Sequence, residues 1–232
     1  MSDIGYNKIE NIKHFNMKLM NKSLLLLSAV SFIIVGCRAW SHKLDYEKTF
    51  TLQGEINVLD LSGGADIIVD STLARDQIRV LANSPDLSTL VIKEESGKLI
   101  VKNRFGFGSK LYKIFIPEFN YESISVSGGV DLVWNTCNVD ALTITASGGS
   151  DCLVKGITDR LEVIASGGAD VDLKGLIATD VTVTASGGSD VESHAAKTLS
   201  VCASGGADVE IYGNPQIIDW SISGGADIDL NK

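Results

Sequence analysis

The sequence is poor in the side chains that most often do chemistry. Its 232 residues include three histidines, His14, His42 and His194. No nucleophile elbow, HExxH helix or phosphate-binding loop occurs. A nucleophilic serine needs a base within hydrogen-bond reach, and the many equivalent serines of this chain cannot share one histidine. Cysteine is scarce too: Cys37 stands apart, and Cys137, Cys152 and Cys202 cannot all pair, which excludes a disulfide framework and leaves at least one thiol free or intermolecular. Cys152 falls where the other repeats carry an apolar residue and reads as a small core side chain. Basic residues thin out along the chain. Residues 37–113 hold 11 basic and 10 acidic groups, whereas residues 114–232 hold 5 and 17. Phosphate binding depends on Lys and Arg, so nucleic acid is excluded as a partner of the second region.

All three methionines, Met1, Met17 and Met20, lie near the N-terminus, and Met17 offers an alternative start. From there the chain reads MKLMNKSLLLLSAVSFIIVGC, a charged start, a short apolar run and Gly36-Cys37. This is the layout of a secretory signal, and its end resembles the bacterial lipobox, in which the cysteine is lipidated. Residues 1–36 are therefore expected to be a lipoprotein-type signal peptide, Cys37 the lipidation site and 37–48 a tether, the alternative being an uncleaved anchor helix. The expected partner of that lipid is a membrane, and the expected location is the bacterial envelope, as an outer-membrane lipoprotein. No acidic run follows Cys37, which leaves open whether the protein faces the periplasm or the surface.

What the chain has in abundance is one five-residue phrase. Ser-Gly-Gly-x-Asp begins at Ser62, Ser127, Ser147, Ser166, Ser186, Ser204 and Ser223, and from Ser127 onward the steps are 20, 19, 20, 18 and 19 residues. Alternating apolar segments flank each copy, such as Leu161-Glu162-Val163-Ile164-Ala165 before the turn and Asp170-Val171-Asp172-Leu173 after it, the period-2 signature of strands with one buried face. Four or five residues then remain before the next unit, too few for a crossover helix. The expected fold is all-β, a right-handed parallel β-helix (solenoid) with coils of about 19 residues. The glycine pairs Gly128-Gly129, Gly148-Gly149, Gly167-Gly168, Gly187-Gly188, Gly205-Gly206 and Gly224-Gly225 are its expected structural turns. Residues 119–232 form the regular repeats. Residues 49–118 form irregular coils elaborated by a hairpin about Ser96-Gly97, which with Phe105, Phe107 and Phe115 is expected to cover an apolar outer stripe of Ile68, Val133 and Leu153.

Ile116-Pro117-Glu118-Phe119 leading into Ile124-Ser125-Val126, the Ser-Gly-Gly-x-Asp ladder and Ile211-Tyr212-Gly213-Asn214-Pro215 together resemble the auto-transporter adhesin head domain, or GIN domain, over roughly residues 50 to 230. The resemblance implies a β-helix on a secreted or lipid-anchored bacterial protein and carries no catalytic residues.

The expectation from the residues is a non-enzymatic binding or structural module, and the alternative is a carbohydrate-active enzyme, for which His194 and Lys197 are the nearest base and cation. Thr143, Thr145, Thr182, Thr184, Ser200, Ser123, Ser125 and Ser221 are expected to share one outer face. That face suits a glycan or envelope-protein ligand, with Trp134, Trp220 and Tyr212 as possible stacking partners and Trp220 at an inward position. The turn aspartates are expected to accept main-chain N–H bonds from the glycines. Four coils add a second acid, giving Asp170/Asp172, Asp190/Glu192, Asp208/Glu210 and Asp227/Asp229. Such a strip could hold Ca²⁺ weakly, although the repeat lacks the nonapeptide calcium pattern; no other cofactor is expected.

Overall fold

The computed structural model describes residues 44–104 and 111–231. Among these there are strands and no helix. Residues 1–36, Cys37, most of the tether, Phe105 and Phe107 lie outside the described residues. The N-terminal region contributes β1 (Tyr46–Thr51), β2 (Val58–Asp70), β3 (Gln77–Ala82), β4 (Leu90–Glu95), β5 (Lys98–Asn103) and β6 (Tyr112–Pro117). The repeats contribute the long strands β7 (Ser123–Gly148), β8 (Asp151–Gly167), β9 (Asp170–Gly187) and β10 (Asp190–Gly205), then β11 (Asp208–Tyr212), β12 (Gln216–Ile222) and β13 (Asp227–Asn231).

In the repeats every strand pairs in parallel with its equivalent one coil away, so the molecule is the expected parallel β-solenoid. Like stacks on like: Val163 lies between Ile144 and Val183, and Ala165 between Ala146 and Ala185. Alternation decides which side chains enter. Leu161, Val163, Ala165, Ala169, Val171 and Leu173 are at most 2% exposed, and burying each Val or Leu is worth roughly 1.5–3 kcal/mol. Cys152 takes its place in this column at 2% exposure.

The Ser-Gly-Gly corner is where the chain must turn with another coil directly above and below it. The first glycine of every copy has φ between 71° and 95°, a left-handed backbone that L side chains rarely adopt. A Cβ on Gly167 would also lie 3.1 Å from the Gly148 nitrogen. The second glycine is different. A Cβ on Gly168 would make ordinary contact, 3.6 Å from the Gly148 oxygen, with no unusual φ. The two turn glycines of each pair are thus unequal: the first is demanded by the fold and the second is tolerant.

The N-terminal region builds coils of the same cross-section in a different order. Ser96 (φ 50°) and Gly97 (φ 77°) make the tight turn of the expected hairpin, with both central residues at positive φ as in a type I′ turn, and β4 and β5 pair antiparallel about it. β5 then lies parallel on the first half of β2, and β6 parallel on the second half. Because β7 pairs with the other edge of β2, the earlier segment is enclosed between two later ones. Antiparallel β3 covers β6, and β1 covers β3. The expected cover over the apolar stripe is corrected: the hairpin lies on Val58–Ser62 of β2 and not over Ile68, and Phe115 is itself part of the stripe, in register with Ile68 and so with Val133. The Arg79 guanidinium, 4.3 Å above the Phe115 ring, lies over that end of the row.

Candidate functional site

The outward sides of the solenoid carry its candidate sites. On the face before the glycine corner, Ser123, Thr143, Thr182 and Ser200 share one row, and Ser125, Thr145, Thr184 and Ser221 another. The expected hydroxyl face therefore exists, interrupted on two rungs. The β8 rung contributes Glu162 and Ile164, and Cys202 stands between Thr184 and Ser221. A groove of about 470 Å³ runs across this face and is lined by Thr143, Arg160, Glu162, Asp180, Thr182, Thr198 and Ser200. Arg160 and Asp180 occupy the same register, and Thr198 donates its hydroxyl to Asp180 Oδ1 at 2.5 Å. Thr143 reaches Glu162 at 3.4 Å. A guanidinium that donates, carboxylates that accept and hydroxyls that do both together offer the hydrogen bonds a polyhydroxylated ligand requires.

Beyond the corner the seven turn aspartates form one continuous ladder, Asp66, Asp131, Asp151, Asp170, Asp190, Asp208 and Asp227, each in register with the next. Strands about 4.8 Å apart bring like charges together. Burial first, then Asp151 and Asp66, push the Asp131 carboxyl up to about 6. Burial chiefly raises Asp66 as well, against the lowering effect of Lys113. Asp170 and Asp190 are raised by burial and then by their neighbours in the row.

The aspartates do not hold the glycine corners as expected. Second-glycine N–H groups donate instead to the first-glycine carbonyl one coil back, Gly168 to Gly148 at 2.8 Å and Gly188 to Gly167 at 2.7 Å. Asp227 does accept a main-chain N–H, but from Ile228.

The outer acids make a separate row, with Asp172, Glu192, Glu210 and Asp229 in register. Local partners engage them. Lys174 Nζ lies 2.8 Å from Glu192 and 4.5 Å above the Tyr212 ring, and the Tyr212 hydroxyl donates to Glu210 at 2.8 Å. Among the described residues, no three His, Cys, Asp or Glu side chains are grouped to hold a metal ion.

A second polar cleft, about 420 Å³, opens where the irregular coils meet the repeats, between Arg75, Glu118, Asn120, Thr136 and Asn138. Glu118 Oε1 accepts from Trp134 Nε1 at 2.8 Å and from Thr136 at 2.6 Å. Sequence reasoning missed Glu118 because its partners lie 16 and 18 residues away.

Two of the three suggested stacking aromatics are otherwise engaged. Trp134 is 1% exposed and packs edge-on against Tyr121, 5.5 Å between ring centroids. Tyr212 sits under Lys174. Trp220 takes the expected inward position opposite Val201 yet is 36% exposed, because β12 belongs to the last coil. His194 stacks between Ile177 and Tyr212 in the ladder. Cys137, Cys152 and Cys202 are all free. Burial pushes the Cys137 and Cys152 thiols up to about 12, which leaves them inert.

Residues 49–215 match the family profile described as "putative auto-transporter adhesin, head GIN domain". Among solved structures, a putative adhesin from Bacteroides fragilis NCTC 9343 is 17% identical, covers 80% of this chain and 96% of its own, and superposes with a TM-score of 0.62. That likeness shows a shared fold. A putative lipid binding protein from Parabacteroides distasonis ATCC 8503 is 16% identical over 81% of this chain and 98% of its own, with a TM-score of 0.47. A putative adhesin from Parabacteroides merdae ATCC 43184 is 13% identical over 81% and 96%, with a TM-score of 0.46. No curated protein matches the chain.

Proposed function

We propose, from the premise that this chain belongs to the putative auto-transporter adhesin, head GIN domain family, that it is a lipid-anchored envelope protein whose solenoid binds a glycan without transforming it. The observation that carries this reading is the groove on the hydroxyl face, where Arg160, Glu162, Asp180, Thr182 and Ser200 present both donors and acceptors on a rigid sheet. Side chains on stacked strands cannot move apart without breaking the ladder, so the groove is ordered before a ligand arrives, which lowers the entropic cost of binding. The family supports an adhesin-like role in the bacterial envelope, and the apolar run ending at Cys37 supports a lipid anchor.

A glycan array probed with the protein, paired with a hydrolase and lyase panel on every glycan that binds, tests the reading. We expect retention of at least one glycan class, loss of that retention in Arg160→Ala, and no cleavage product. Turnover of a bound glycan would make the protein an enzyme instead. The anchor is tested separately: Cys37→Ser abolishes lipid labelling and leaves a precursor of higher mass, and normal processing of that variant would overturn the lipobox reading.

A further inference from the structure

The cleft where the irregular coils meet the repeats has a construction of its own. The turn after β2 supplies Arg75, the link after β6 supplies Glu118 and Asn120, and β7 supplies Thr136 and Asn138. The β7–β8 register slips between Trp134 and Cys137, an irregularity of the kind that re-aims side chains, and Thr136 lies within it. The indole N–H of Trp134 and the Thr136 hydroxyl both donate to one carboxylate oxygen, Glu118 Oε1. Among the described residues no hydrogen bond engages Glu118 Oε2. Glu118 is thus a charge held in a fixed direction with one oxygen left over.

Arg75 supplies the opposite charge. Its Cζ lies 5.1 Å from the centroid of the Phe119 ring, beside the residue that follows Glu118 in the chain. Its contact with Glu55 is 3.4 Å long, between side chains 62% and 79% exposed, and exposed pairs of this kind are worth little. That contact uses one nitrogen of a five-donor fork. Both charges bear on the same buried phenol: burial raises the pKa of Tyr121, Glu118 adds to the rise and Arg75 opposes it.

We infer that this cleft binds a short zwitterionic peptide, its carboxylate on Arg75, its ammonium on Glu118 Oε2 and its amide between Asn120 and Asn138. The two charges decide the class. A simple anion would satisfy Arg75 and stand against Glu118, and a simple cation would do the reverse. A neutral polyol would cover both charges without a counter-charge, and desolvating an uncompensated charge is costly. A ligand with one charge of each sign compensates both, through charge-assisted hydrogen bonds. Carboxamides donate and accept at once, which matches a peptide N–H and C=O. The cleft volume of about 420 Å³ falls within the roughly 300–1,000 Å³ of small-ligand sites, and a dipeptide spans roughly 7 Å. The site shares no lining residue with the hydroxyl groove and does not rest on the glycan reading.

Isothermal titration of the full chain with L-alanyl-L-alanine at pH 7 tests this. The expected result is saturable binding, weakened at least about tenfold in Glu118→Gln and in Arg75→Gln. Glu118→Gln keeps an acceptor oxygen for Trp134 and Thr136, and an unchanged melting profile checks that it is folded; Arg75 is exposed, so its variant tests the site without touching the core. The same dipeptide acetylated at its N-terminus should bind at least about tenfold more weakly and be indifferent to Glu118→Gln. Arg160→Ala, in the hydroxyl groove, should leave dipeptide binding unchanged. No saturable binding up to about 10 mM dipeptide overturns the proposal. So does equal binding of L-alanine, of the acetylated dipeptide or of a neutral disaccharide, or undiminished affinity in the two cleft variants.

Discussion

The irregular coils of residues 58–117 and the regular coils from Ser123 onward share one cross-section but differ in how they reach it. In the repeats each coil stacks on its neighbour in sequence, so stability is close to a sum of coils and their interfaces. In the N-terminal region β2 is enclosed between β7 and the later β5 and β6. It is not enclosed until the chain returns to it as β7, which begins at Ser123, more than fifty residues beyond Asp70. Repetition makes a solenoid easy to extend, and out-of-order stacking makes its end hard to unravel.

The sharpest way to break this partnership is at its junction. Trp134→Ala removes a buried ring, its contact with Tyr121 and the N–H that holds Glu118. We expect a loss of about 3–5 kcal/mol. Urea unfolding followed by circular dichroism should then separate into two transitions, the irregular coils melting first.

Within the repeats, Gly167→Val should cost more than about 2 kcal/mol, since it forces a β-branched residue to φ 77° against the backbone of the coil below. Gly168→Ala should cost well under 1 kcal/mol, roughly the range of an unstrained substitution. Equal losses in the same urea titration would contradict the inequality of the two glycines.

A smaller effect sharpens the boundary itself. Asp131 lies between Asp66 of the irregular coils and Asp151 of the repeats, and its carboxyl is pushed up to about 6. A carboxyl raised above its unfolded value of 3.8 holds its proton more tightly in the fold. It therefore destabilises the native state fully above about pH 6, and stability rises as pH falls through 6 toward 4. The wild type should gain about 1 kcal/mol from this group between pH 7 and pH 5. Asp131→Asn should be more stable at pH 7 and lack that gain, as thermal melts across the pH range would record.

The smallest expected effect concerns the acidic rows of the repeats. Fixed strands with engaged carboxylates gather too few oxygens for an ion that prefers six to eight. Melts in millimolar CaCl₂ should match those in NaCl of equal ionic strength. A Ca²⁺-specific rise that vanishes when Asp172, Glu192 and Glu210 are changed together to Asn and Gln would assign the strip a cation.

Sequence reading goes far where structure is periodic. The coil, its glycine corner, the Ser96-Gly97 hairpin and the core place of Cys152 all follow from period and residue type. It fails where the partner is remote in the chain. Nothing near Val58–Asp70 signals that this segment is enclosed by later strands. Glu118 finds Trp134 and Thr136 only after the coil closes. The aspartates illustrate a subtler limit: a local rule assigns them to the glycine amides, but the coil below offers those amides a carbonyl first. Trp220 is read correctly as inward-facing, and its exposure follows from standing in the last coil, a boundary the alternation of apolar residues does not mark.

The corner bond from each second glycine to the first glycine of the preceding coil has a geometric consequence. Since every coil meets its neighbour through the same contact, whole units can be gained or lost without disturbing those that remain. Each one changes the height of the stack by about 4.8 Å. The solenoid is a ruler graduated in coils. Its length sets how far the exposed tail stands from the covered end, and evolution can adjust that reach in single steps.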